Sequence, residues 1–124
     1  MIVIVIQLIE LLLAVEQGII SFAVSFGQFG SVEQDLAVGK LLMKKANQYL
    51  QQFGFHDVQV KLVYHQWMGA FPSNREKSDS LISYSACLSR FVNADKIVIK
   101  TRDESFGIPS IEANVQAVKQ VRYL

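Results

Sequence analysis

The sequence predicts an α/β fold in which about three parallel strands alternate with four helices. Three observations carry this. Runs rich in β-branched and aromatic residues begin near positions 19, 57 and 94, at intervals of 38 and 37 residues. The segments between them have apolar residues at helical spacing. Each run is followed directly by a loop dense in polar and aromatic residues: GQFGSVEQD, HQWMGAFP and KTRDESFGIP. Strands that return after one helix pair in parallel through right-handed crossovers, so the three loops should share one rim. That rim is where α/β folds bind ligands. The pattern fits a doubly wound sheet or a segment of a (β/α)8 barrel. A whole barrel takes about 250 residues, and 124 are present here. Three parallel strands alone leave two unpaired edges, so the chain reads as a piece of a larger fold or a subunit completed by a partner.

Residues 2–17 form the first element. IVIVI alone suits a strand. LIELLLAVEQ, however, is rich in helix formers, and Gly18 is placed to end a helix. The run MIVIVIQLIELLLAV is apolar except for Gln7 and Glu10. It lacks the positive start and small-residue cleavage site of a signal peptide. It also stops at Glu16–Gln17, short of the roughly 20 apolar residues of a membrane span. A buried helix is therefore expected rather than a membrane anchor.

Ile19–Phe26 is the first strand, and GQFGS is a turn. Val32–Phe53 is the second helix, with Val32, Leu36, Leu41, Ala46, Tyr49, Leu50 and Phe53 as its core face and Gly54 at its end. Asp57–Tyr64 is the second strand. The third helix runs from Glu76 to Val92, with Leu81, Ile82, Ala86, Leu88, Phe91 and Val92 as candidate core. Ala94–Lys100 is the third strand. Ser110, after Pro109, is the N-cap of a last helix reaching Arg122.

Composition excludes several classes. Twelve basic and 11 acidic residues leave a formal charge of +1, which argues against a nucleic-acid or anionic-membrane partner. A hydrophobic content of 51% is that of a folded core. The single cysteine, Cys87, has no internal disulfide partner and fits a reducing cytoplasm. One cysteine and two distant histidines, His56 and His65, make no metal-ligand cluster. Gly27 and Gly30 are not followed by Gly-Lys-Ser/Thr, so GQFG is not a phosphate loop. Neither a nucleophile elbow nor a Rossmann glycine fingerprint is present.

Candidate functional residues therefore sit in the three loops. In the first, Gln28, Gln34 and Asp35 are able to bond a ligand, or they form a turn and a charged first helical turn. In the second, Trp67, Met68 and Phe71 around Gly69 suit a flat apolar wall for a ring system, or they cap the core. A lone His65 is more often structural than catalytic. In the third, Lys100 suits an anionic group, and Glu104 suits the hydroxyls of a ribose-like diol. The alternative there is a solvated ion-pair loop.

At HQWMGAFP and KTRDESFGIP the sequence resembles the large (epsilon) subunit of glutamate mutase, also called methylaspartate mutase. That family carries HQWMGGFP after one barrel strand and K-x-x-x-K-T-P-H-E-x-x-G-I-P after the next. Its S-F-G-Q-x-G…Q-D segment is matched by Ser25–Gly30 and Gln34–Asp35, and LLLAVEQGI resembles its preceding helix. The match runs in order along essentially the whole chain. The resemblance implies that residues 1–124 are a single segment from the C-terminal-side part of a (β/α)8 (TIM) barrel, a partial barrel. It implies a small Rossmann-like partner subunit that shares adenosylcobalamin (coenzyme B12) and carries the Asp-x-His-x-x-Gly motif absent here. It implies a radical isomerisation of L-glutamate to (2S,3S)-3-methylaspartate in anaerobic glutamate catabolism, started by homolysis of the cobalt–carbon bond.

By the same resemblance, Phe71, Lys100, Glu104 and Ile108 match positions that contact the cofactor, with Lys96 a further candidate. The family's substrate-holding arginines, acids and tyrosines lie upstream, and Arg75, Arg90, Arg102 and Arg122 do not match them. Weak or no activity is expected from this chain alone. The expected partners are the small cobalamin-binding subunit and the remaining barrel half or a second large subunit, with no nucleic acid and no membrane. Two departures stand out. Ala70 replaces a glycine, and Arg102–Asp103 replace Pro-His, which is expected to loosen the turn and set Asp103 against Glu104. The alternative of another class is a non-catalytic α/β fragment that only binds a partner as a half-barrel.

Overall fold

The computed structural model describes residues 2–124. They form α1 (Ile2–Glu16), β1 (Ser21–Gly27), α2 (Val32–Gln52), β2 (Gln59–His65), α3 (Arg75–Phe91), β3 (Lys96–Val98) and α4 (Ile111–Arg122). The strands make one parallel sheet in the order β1-β2-β3. Ser21 to Gly27 stand opposite Gln59 to His65, and Val63 to His65 opposite Lys96 to Val98. Each strand lies beside its predecessor with no reversal of order. The helices also touch in chain order, α1 with α2, α2 with α3 and α3 with α4.

The period of two along a strand decides what is buried. Val24 and Phe26 of β1 and Leu62 and Tyr64 of β2 turn into one core with Ile4, Leu8, Leu11 and Val15 of α1 and Leu42, Ala46 and Leu50 of α2. Leu88 and Val92, in and just after α3, complete that core. Each large side chain buried there contributes about 1.5–3 kcal/mol. The Phe26 and Tyr64 rings meet edge to face at 5.3 Å. The alternate residues Ser25, Val63 and Lys96, and then Gly27, His65 and Val98, line up across the opposite face of the sheet.

The helical reading of α1 holds. Its buried residues Ile4, Leu8, Leu11 and Val15 recur at helical spacing, while Ile2, Val5, Ile9 and Leu13 on its other side are exposed. No described helix is long and apolar enough to cross a membrane. The N-caps are Ser31, Asn74 and Ser110, each accepting a backbone N–H three residues on.

Several expected boundaries and core faces are corrected. β1 and β2 begin two residues later than expected and run one residue further, into Gly27 and His65; Ile19 and Ile20 are exposed. β3 is only Lys96–Val98, because side chains take over the ladder at both ends. Before it, the Asp95 carboxylate accepts the Leu62 N–H at 2.8 Å. After it, the Gln66 amide accepts the Lys100 N–H at 2.9 Å. On α2 the buried stripe is Asp35, Gly39, Leu42, Ala46 and Leu50, whereas Val32, Leu41 and Phe53 are exposed. Phe91 is exposed as well.

Candidate functional site

All three polar loops leave the C-terminal ends of parallel strands and meet on one rim. The first two are docked together through backbone and indole. The Gln28 N–H donates to the His65 carbonyl at 3.0 Å. Gly30 has φ +90°, where a side chain is strained, and a Cβ there would lie 3.2 Å from Trp67 Cζ3. A Cβ on Gly69 would lie 2.5 Å from Trp67 Cζ2. The indole thus sits against glycines of both loops, with Nε1 donating to the Ala70 carbonyl at 3.1 Å. Half-buried Trp67 spaces the two loops. Met68 remains exposed.

Two polar residues of the first loop, Gln28 and Asp35, are spent inside the fold. Gln28 is buried and accepts the Ser85 hydroxyl of α3. Asp35 is fully buried, and its Oδ1 accepts the Phe29 N–H at 2.7 Å. Burial pushes the Asp35 carboxyl above its ordinary range, against the opposing pull of the Phe29 and Gly30 N–H groups. Asp35 Oδ2 and the Tyr64 hydroxyl are buried without a hydrogen-bond partner, and burial raises the Tyr64 hydroxyl too. Gln34 is exposed.

In the third loop, Lys100 Nζ and Glu104 Oε2 pair at 3.4 Å, both about a quarter exposed. Arg102 holds Asp79 of α3 with two donors, Nε reaching Oδ1 at 3.0 Å. Asp103 Oδ2 accepts the Ser110 N–H at 3.2 Å and the Ser110 hydroxyl at 3.0 Å. The Ser110 N–H, then its hydroxyl, and then Arg75 and Arg102 hold the Asp103 carboxyl below its ordinary range. The expected conflict between Asp103 and Glu104 is therefore corrected. Asp103 turns to the start of α4, and Arg102 anchors the turn to α3.

Of the four candidate cofactor residues, Lys100 and Glu104 are brought into contact. Phe71 is half-buried in the β2–α3 loop, and Ile108 is 98% exposed beyond the turn. Lys96 is on β3, exposed, opposite Val63. Exposed Phe29, Met68 and Phe106 add apolar surface from all three loops. A groove of about 400 Å³ opens beside β1, lined by Val3, Gln7, Ser25, Gly27, His65 and Met68 among others. Its Gln7 accepts the Ser25 N–H at 2.9 Å and so covers part of the free strand edge. No group of three His, Cys, Asp or Glu able to hold a metal occurs among the described residues. Sequence reasoning missed the bridging role of Gln66, which is 1% exposed; the only available signal was a polar residue directly after a buried strand.

The family model described as Methylaspartate mutase E chain matches residues 1–124. The glutamate mutase epsilon subunit of Escherichia coli O157:H7 is 40% identical over 119 residues, 96% of this chain and 25% of its own length. That of Treponema denticola is 39% identical over 92% of this chain and 24% of its own. That of Haloarcula marismortui is 34% identical over 96% of this chain and 24% of its own. The chain spans about a quarter of the length of these curated relatives. With the family model matched over all 124 residues, this chain belongs to the methylaspartate mutase E chain family.

Proposed function

We propose that this chain is part of the barrel subunit of an adenosylcobalamin-dependent glutamate mutase, acting in the isomerisation of L-glutamate to (2S,3S)-3-methylaspartate. The observation that carries this is the Lys100–Glu104 pair, on the rim, in a chain of the mutase family. The pair suits the nucleoside part of such a cofactor. Glu104 holds Lys100 through Oε2, which leaves Oε1 as an acceptor for a ribose hydroxyl. Exposed Phe106 and Ile108 follow Glu104 in the same loop and offer apolar contact, and half-buried Phe71 lies on the neighbouring rim loop. Bound there, the cofactor supplies hydrogen-abstraction chemistry, while the rim residues orient it and keep water out.

A partial (β/α)8 barrel is supported by the unreversed strand order and by the helices that share a core on one face of the sheet. The opposite face, with Ser25, Val63, Lys96, Gly27, His65 and Val98, then faces the barrel interior. The remaining strands and a small cobalamin-binding subunit are the partners assigned to this arrangement, with the cytoplasm as its compartment.

The test is a titration of adenosylcobalamin, followed by its visible spectrum, into this chain mixed with a small cobalamin-binding subunit of the family. The chain should tighten binding, and Glu104→Ala should weaken it about tenfold. Equal binding with and without the chain would contradict the proposal and favour a piece that only docks on a partner. Turnover of L-glutamate with no further barrel segment would contradict the partial barrel.

A further inference from the structure

Gln66 follows β2 directly and is 1% exposed, yet it makes three bonds to three different segments. Its backbone N–H donates to the Val98 carbonyl at 3.1 Å. Its Nε2 donates to the Ile82 carbonyl of α3 at 3.0 Å. Its Oε1 accepts the Lys100 N–H at 2.9 Å. The order of these bonds matters. A carbonyl only accepts, so Ile82 selects the NH₂ end of the Gln66 amide and leaves the oxygen facing Lys100. The backbone of Lys100 is thereby placed, and four residues on, Glu104 closes on the Lys100 ammonium at 3.4 Å. Arg102 grips Asp79, three residues before Ile82, so one helix holds this loop twice.

We propose that Gln66 is a positioning residue that sets where the Lys100–Glu104 pair stands for the nucleoside part of the cofactor; its bearing on the cofactor rests on the mutase reading. Gln28 is the natural comparison. It also follows a strand and also reaches α3, at Ser85, but it does not touch Lys100.

Amide hydrogen exchange separates the two glutamines. In Gln66→Leu, exchange at the Lys100 N–H should rise about tenfold, as expected for one lost hydrogen bond, while the Leu62 and Tyr64 amides keep their rates. Gln28→Leu should leave Lys100 unchanged. Gln66→Glu in the protonated form that burial favours keeps an O–H donor for Ile82 and an acceptor for Lys100, so it should restore much of the protection and serves if the leucine variant fails to fold. With the small subunit added, Gln66→Leu should also weaken adenosylcobalamin binding about tenfold. Unchanged Lys100 exchange, a rise shared by the whole core, or faster Lys100 exchange with full cofactor affinity would each overturn the proposal. If the unsubstituted chain binds no cofactor while Lys100 responds to Gln66 alone, the mutase reading fails and the placement of Lys100 by Gln66 stands.

Discussion

Gly69→Ala tests whether the rim loops are locked together. The new Cβ would lie 2.5 Å from Trp67 Cζ2, 2.7 Å from Cε2 and 2.9 Å from Nε1. Comfortable contact between carbon atoms is about 3.5–4.0 Å, so the ring must move by roughly 1 Å. The indole is planar and stiff, and its far edge already lies close to Gly30. Moving it breaks the 3.1 Å bond from Nε1 to the Ala70 carbonyl. Overpacking costs about 1–3 kcal/mol and a lost hydrogen bond about 0.5–1.5 kcal/mol. Because the loop is partly exposed and able to yield, the expected loss is about 1–2 kcal/mol. Trp67 is the single tryptophan, so its fluorescence reports this site alone. Urea unfolding followed by tryptophan emission should show a red-shifted native spectrum and a lowered midpoint. Ala70→Gly, which preserves the carbonyl acceptor, should leave the native emission in place. A Gly69→Ala chain with the original emission and midpoint would refute the idea that glycines grip the indole.

Three further outcomes follow from the same geometry. Arg102→Leu should cost about 0.5–1.5 kcal/mol, the range for a two-pronged pair that is more than a quarter exposed. Adding Asp79→Asn to it should cost little more, read from urea midpoints as a double-mutant cycle. The Asp95 carboxyl is held below its ordinary range, first by the Leu62 N–H and then by Lys61, and Asp103 is held down by Ser110. Both pKa values are lower folded than unfolded, so their stabilisation is complete above the ordinary carboxylate range and is lost as pH falls through the folded values. The acid limb of stability below about pH 4 should therefore flatten in Asp95→Asn. Asp35 has the opposite sign, since burial raises its folded pKa. Its contribution is present below the unfolded value and lost as pH rises. Asp35→Asn, which retains an acceptor for the Phe29 N–H, should be more stable than the parent at pH 7, with that advantage gone at about pH 3; lower stability at pH 7 would count against it.

Much of the fold was legible because periodicity and caps are local. Gly18 and Gly54 end their helices with positive φ, and Ser110 caps α4 as its position suggested. What was not legible depends on contacts distant in sequence. β3 is short because Asp95 and Gln66 replace ladder partners with side chains, 33 and 34 residues away from theirs. The phase of α2 was misread because a carboxylate, Asp35, occupies a buried position that pattern reasoning keeps for apolar residues. In the candidate site, Lys100 and Glu104 stood out by charge type and position on the rim, and the structure pairs them. Gln28, Asp35 and Trp67 also had the chemistry to bond a ligand, and only their partners Ser85, Phe29 and Ala70 show how the fold itself uses them.

The rim itself is tested most directly by a hydrogen-exchange footprint of this chain with a small cobalamin-binding subunit, with and without adenosylcobalamin. Cofactor-dependent protection is expected over the loops at 28–31, 65–72 and 100–108, with the exposed flank of α3 at Arg90 unaffected. Protection confined to the helices, or none on the three loops when the cofactor is added, would contradict the assignment of this rim to the cofactor.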